Sequence, residues 1–282
     1  MAVSDQIERI KTNIANAYAT AETMGATMPE TQNSENLPAT IGTIPGGASS
    51  TVSKGLIIDE IDDDGFVTAA HIEGMENIPS YFFHGISTNS NNFLGKALIT
   101  MSDEVLTMEA SAMSGNQGLR GGLILSNNLV SLGSSALSNL GCTELTIPDS
   151  VQSMGQSCCT SMLMLEKITF SAGLTEVPLY VCEGCRNLAT VHVKGDITAI
   201  TDRAFNNAPV SLLILSGITG IPTLGTNALS VSGFENGTTD YVGVYVPDEL
   251  VVDMQDPSFV PEWESFIDWI HPLSELPEEY YM

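Results

Sequence analysis

A solenoid of stacked coils, each giving one short strand to a parallel sheet, is the fold class this sequence predicts, and three observations predict it. From Cys142 to Phe205 the chain repeats with a fixed period of 23 residues: Ile147, Phe170 and Val193 share a phase, as do Leu145, Ile168 and Val191, then Val151, Leu174 and Ile197, then Met154, Val177 and Ile200. Each unit holds one stretch of strict alternation, the pattern of a strand with one buried face. Further ladders keep the same spacing, with Cys142, Leu165 and Leu188 ahead of each strand, and Cys158, Val181 and Ala204 then Cys159, Cys182 and Phe205 behind it. A period in the low twenties with one strand per unit marks a leucine-rich solenoid, whose repeats bury their apolar faces only against one another.

The first element lies ahead of the repeats. Ile7, Ile10, Ile14, Ala17, Ala21 and Met24 alternate spacings of three and four, a heptad seam between a capping Ser4 and a closing Gly25. A lone amphipathic helix of this length is marginal in water, so the seam predicts self-association, and isoleucine at both core positions favours three or four strands over two. The alternative is that the stripe docks on the chain's own solenoid. A second short helix carries Leu37, Ile41 and Ile44 on one side and starts near Asn36 or Leu37 because Pro38 fits only a first turn; Pro45 to Thr51 is a Gly/Ser linker.

Leu56 to Val67 then reads as an apolar strand ending in an acidic turn. Glu60, Asp62 and Asp64 with Gly65 stand at positions 1, 3, 5 and 6 of a calcium loop, but His71 occupies the place of the bidentate glutamate. A solvated turn capping the first coil explains the segment equally. The sequence predicts no cofactor, with calcium at this turn as the alternative.

The remaining strands are placed by phase. Ile147 steps back to Leu125, Ile99 and His71 and forward to Leu215 and Val246, which makes about eight coils and a sheet roughly 35 Å long. Met75, Ile78, Phe82 and Phe83 fill the first coil. Polar insertions at 87–92 and 232–240 interrupt the period and can carry contacts. Between the buried positions of each strand one residue points outward: Ala70, Leu98, Ile124, Thr146, Thr169, His192, Ile214 and Tyr245. Such a row is usually polar, and this one is rich in apolar residues. Its members from Leu98 to Tyr245 are the candidate ligand-binding face; cover by a neighbouring subunit or by the N-terminal helix is the competing explanation.

After Val246 the repeat stops. Trp263, Phe266, Ile267 and Ile270 share a helical face that Pro272 ends, which predicts a helical cap over the last coil, followed by a loose acidic tail from Ser274. The predicted organisation is therefore a coiled-coil helix in 1–28, a short helix and linker in 29–54, the solenoid in 55–246, and the cap and tail in 247–282.

Composition limits function. With 34 acidic against 9 basic side chains the formal charge is −25, which repels phosphate backbones and anionic membranes, so nucleic acid is excluded as a partner. No run of 18 apolar residues predicts membrane insertion, and the charged N-terminus lacks the pattern of a secretory leader, which predicts synthesis without standard export. The five cysteines occupy apolar phases of the repeat and read as small buried hydrophobes, with a zinc site at Cys158, Cys159, Cys182 and Cys185 or a Cys159–Cys182 cross-link as alternatives. The four histidines are scattered, no nucleophile, metal or phosphate motif appears, and His192 and Cys182 point in opposite directions. The sequence predicts no enzyme.

Two resemblances add to this. The unit Leu188-x-x-Val191-x-Val193 with Ile197, Ile200 and Ala204-Phe205, and the segment Leu145-Thr-Ile-Pro-Asp-Ser-Val151-Gln-Ser-Met154-Gly, resemble the BspA-type leucine-rich repeat, over about 190 residues. That resemblance implies a binding scaffold on bacterial or viral surfaces. The opening from Ile10 to Pro45 resembles the N-terminal segment of tail and fibre-like proteins of phages of Gram-positive bacteria. Together they imply a non-enzymatic phage tail fibre in the virion, trimeric through the N-terminal seam, joined to other tail or baseplate proteins and touching a bacterial surface receptor. The alternative is a BspA-type surface or secreted adhesin that binds host protein or glycan.

Overall fold

The computed structural model describes residues 55–63, 66–83, 97–237, 239–258 and 260–281, all within the compact unit Lys54–Met282. The heptad seam from Ile7 to Met24, the second short helix, the linker, the insertion at 87–92, and Asp64 with Gly65 lie outside the described residues.

The main face is built from β2 (Val67–Glu73), β4 (Leu98–Met101) and β6 (Leu123–Ile124), then β8 (Glu144–Thr146), β10 (Lys167–Phe170), β11 (Thr190–Val193), β13 (Leu212–Leu215), β15 (Gly243–Val246) and β16 (Ile270–Pro272). Neighbours within each sheet are parallel, and β1 (Gly55–Ile61) closes the first sheet as an antiparallel edge on β2. Leu145, Ile168, Val191, Leu213, Val244 and Ile270 run in register across the six-stranded sheet. The predicted ladders return as its buried side: Ile147, Phe170, Val193, Leu215 and Val246 are all fully buried. Burying each such side chain contributes about 1.5–3 kcal/mol, and a coil alone has nowhere to do so.

A second line of short parallel strands comprises β3 (Asn77–Ile78), β5 (Thr107–Met108), β7 (Ser131–Leu132) and β9 (Ser153–Met154). It continues through the Val177–Ile200 bridge into β12 (Ala199–Ile200) and β14 (Thr223–Leu224), which accounts for the Met154, Val177, Ile200 ladder. A third corner follows in each coil. Phe83, Met113, Leu137, Cys159, Cys182 and Phe205 donate their backbone N–H to the next coil at 2.8–3.0 Å. Two residues before each of these stands a left-handed residue, Tyr81, Ser111, Ser135, Ser157, Tyr180 and Arg203, and Asn227 follows in the next coil, all with φ of 54–60°. Each such position costs a non-glycine residue about 1–2 kcal/mol, and the coil-to-coil bonds hold it there.

Two expectations need correction. β4 and β6 pair Thr100 with Ile124, and β2 and β4 pair Ile72 with Met101, so Met101 and Ile72 continue the phase of Leu125. The predicted Ile99 was two residues off and keeps its buried face; the predicted His71 was one residue off and faces out, while Ala70 is buried. A slip of one residue flips a strand's faces and a slip of two does not, and the insertions before these coils hide the register. Secondly, the helix expected around Trp263 is a 3-10 segment, Pro261–Trp269, and Ile270 lies on β16. The unpaired edge of β15 is the physical reason: pairing Val244, Tyr245 and Val246 with Ile270, His271 and Pro272 satisfies backbone groups that a helix would leave open. Trp263 remains the anchor, fully buried, with its Nε1 donating to the Pro222 carbonyl at 2.8 Å.

Candidate binding face

Alternation along the strands sends one set of side chains out of the solenoid, and the register sorts them into rows. The central row reads His71, Thr100 and Ile124 on the first sheet, then Thr146, Thr169, His192, Ile214, Tyr245 and His271 on the second. Leu98 faces the same way but two residues nearer the strand start than Thr100, so it belongs to a flanking row with Gly122. Gly122 has φ +113°, and a Cβ there would stand 3.2 Å from Leu98 Cδ1, so the missing side chain leaves Leu98 room to lie flat on the sheet.

The row divides into an open and a covered half. Leu98 is 38% exposed and Ile124 52%, with Thr146 exposed and Thr169 half-buried beside them. His192, Ile214 and Tyr245 are buried. Ile214 and Tyr245 are covered by the chain's own end: Leu276, 3% exposed, packs on Leu212, Ile214 and Tyr245, with Leu273, Tyr241, Tyr280 and Tyr281 around it. The rings of Tyr241 and Tyr280 meet edge to face at 5.2 Å. The tail read as loose from Ser274 is thus a docked strap, and the predicted face residues Ile214 and Tyr245 are closed to a ligand while it is in place. Acidic composition pointed to solvation, whereas Leu276, Tyr280 and Tyr281, spaced among the glutamates, carried the signal of docking.

Between the halves lies a charged belt that sequence reading did not single out. Lys167 stands in register with Glu144, and Lys194 Nζ reaches Asp149 at 2.6 Å. His192 Nε2 is 2.7 Å from Ser216 Oγ. Burial, reinforced by the charges of Lys194 and Lys167 and opposed by Asp149, pushes the His192 pKa down to about 4. Burial would raise the Asp149 pKa, but hydrogen bonds from Lys194 and the Ala172 N–H, with the lysine charge, hold it below the usual range.

The remaining candidates fall into structural roles. Asp62 Oδ1 accepts the Phe66 N–H at 2.8 Å, Glu60 Oε2 accepts from Thr68 Oγ1 at 3.4 Å, and among the described residues no cluster of His, Cys, Asp or Glu is arranged to hold a metal ion. All five cysteines are buried free thiols in the core. Burial pushes Cys142 up to about 11, and Cys158, Cys159 and Cys182 lie well above the ordinary thiol value, Cys158 first through its hydrogen bond to Cys159 and Cys182 first through burial. Protonated, buried thiols are neither metal ligands nor nucleophiles. Many acidic side chains instead join coils: Asp103 accepts the Asn127 N–H, Asp149 that of Ala172, Asp196 that of Thr219 and Asp202 that of Thr226, at 2.7–3.1 Å. Their spacing of 23 or 24 residues from donor to acceptor was in the sequence, unread.

Residues 76–212 match the BspA type leucine rich repeat region in six copies. Among solved structures the chain is similar to a leucine rich cell surface protein of Faecalibacterium prausnitzii, at 18% identity over 70% of this chain and 56% of that one, with a TM-score of 0.41. It is similar also to a leucine-rich repeat protein of Bacteroides ovatus, at 20% identity over 64% of this chain and 49% of that one, with a TM-score of 0.42. The chain thus spans about half the length of these structures. No curated protein matches it. None of these comparisons supports the resemblance of Ile10–Pro45 to phage tail proteins or a place in the virion.

Proposed function

We propose that this chain is a non-enzymatic binding module of a bacterial cell-surface or secreted protein, an adhesin of the BspA type, and that it docks a protein surface on the open half of the main face. The repeat match over 76–212 supports the class of molecule, and the name of the F. prausnitzii protein supports the location. The observation that carries the docking site is the contrast along the outward face: Ile214 and Tyr245 on the six-stranded sheet have an apolar cover, whereas Leu98 and Ile124 on the four-stranded sheet stand exposed. Exposed apolar side chains on a preformed surface lose little entropy on binding and favour contact with a partner.

The test is adhesion of the purified full chain to immobilised extracellular-matrix protein, compared with Leu98→Glu/Ile124→Glu. Two buried charges at such a contact weaken binding at least about tenfold, with the unfolding midpoint unchanged because both positions face solvent. A wild-type chain that does not adhere, or a double variant that adheres as well as wild type, refutes the reading.

A further inference from the structure

A second place on the molecule has the attributes of a site. At the edge where the coils enter β10, β11 and β13, a cleft of about 430 Å3 is lined by four successive coils, with Glu166, Arg186, Asn187, Ser211, Ser232 and Asn236 as its polar groups. Its far wall is the insertion that breaks the period after Ser230, folded as α1 (Val231–Glu235). That wall is fixed. Phe234 is buried edge to face on Phe266 at 5.7 Å and lies 6.1 Å from Trp269, and Gly233 sits so close to the Val210 carbonyl that no Cβ fits. Asn236 Nδ2 donates to the Ser232 carbonyl at 2.9 Å, which orients the amide within the wall. The cleft is therefore preformed, and its volume lies within the roughly 300–1,000 Å3 of small-ligand sites.

Its chemistry narrows the ligand. Arg203 pairs with Glu183 and Lys194 with Asp149, but among the described residues neither Arg186 nor Glu166 has an ion-pair or side-chain hydrogen-bond partner. The lining thus offers guanidinium and amide donors together with carboxylate and hydroxyl acceptors, at no net charge. An anion would meet Glu166 and a cation Arg186, and an apolar ligand would displace water from both without replacing its hydrogen bonds. A neutral molecule with neighbouring hydroxyls, each of which both donates and accepts, satisfies all of them. We propose that this cleft binds a neutral saccharide unit, at a site separate from the open sheet face. Among the described residues no aromatic side chain lines it, so it offers no stacking surface there and binds in the millimolar range, about 4 kcal/mol.

The test is saturation-transfer NMR from the full chain to D-galactose, D-mannose, N-acetyl-D-glucosamine and D-glucuronate, repeated with Arg186→Met and Glu166→Gln. Both residues are exposed, so an unchanged unfolding midpoint shows that each variant is folded. The expected result is saturation of at least one neutral sugar with a Kd in the millimolar range, weakened at least about tenfold in each variant, as loss of a hydrogen bond to a charged group predicts. Failure of every neutral sugar to receive saturation, transfer that survives both variants, or binding of glucuronate alone overturns the proposal. None of these results bears on adhesion through Leu98 and Ile124.

Discussion

His192 stands where the outer row passes from open to covered, and burial beside two lysines makes its neutral form the stable one. Its folded pKa of about 4 lies below the unfolded value of about 6.5, so between these values the unfolded chain binds a proton that the native chain refuses. Stability from this residue is full above pH 6.5 and is lost as pH falls toward 4, with a slope approaching about 1.4 kcal/mol per pH unit. His71 has the opposite sign. The hydrogen bond it donates to Asp59, against burial and with the charges of Asp59 and Glu73, raises its pKa, so its contribution is full below pH 6.5 and fades as pH rises through the folded value. Urea unfolding of wild type and His192→Gln from pH 7.5 to 4 checks this: the difference between the curves should shrink with acidification, and parallel curves would show that His192 does not titrate with folding. The sequence showed that His192 faces outward, because alternation fixes direction. It did not show that Lys167, Lys194 and Ser216 converge on it, since these lie on three different coils and only the register brings them together.

A strand of the repeat was easy to find and its register was not. Where the period held at 23 residues, from β8 to β11, each predicted buried residue is buried except Met154, which is half-buried; where insertions intervened, the one-residue slip at β2 exchanged His71 for Ala70. At the other end, apolar residues spaced for a helix turned out to serve a 3-10 segment, a strand and then a strap, because spacing of three residues fits both helices and the local pattern says nothing of the open edge of β15. The strap is the element with the plainest consequence. Deleting residues 273–282 uncovers Leu212, Ile214 and Tyr245 and removes Leu276, whose burial contributes about 2–3 kcal/mol. The truncated chain should melt several degrees lower and bind more of a hydrophobic dye than the full chain does. A truncated chain with unchanged melting and no added dye binding would mean that the tail lies on the sheet without stabilising it.

On the scale of the molecule, the excess of 25 negative charges sets repulsion against stacking. Each coil touches only its neighbours, so stability is close to a sum of coil interfaces, and the carboxylates act on those interfaces in two ways. Asp103, Asp149, Asp196 and Asp202 accept backbone N–H groups of the following coil, directional bonds that salt leaves largely intact. Other acidic side chains face solvent with few cations to balance them, and the ion pairs Lys194–Asp149 and Arg203–Glu183 are partly exposed, worth at most about 1 kcal/mol each. Repulsion among the rest should therefore outweigh attraction between pairs. Raising sodium chloride from about 0.02 to 0.5 M shortens the screening length from roughly 20 Å to about 4 Å, which removes most of that repulsion. The melting temperature of the full chain should rise, by about 2–4 °C for each kcal/mol recovered. A fall in melting temperature with salt would show that the exposed pairs, not the excess charge, govern the electrostatics, and would locate the solenoid's tolerance of acidity in its few cations rather than in the bonds its carboxylates make between coils.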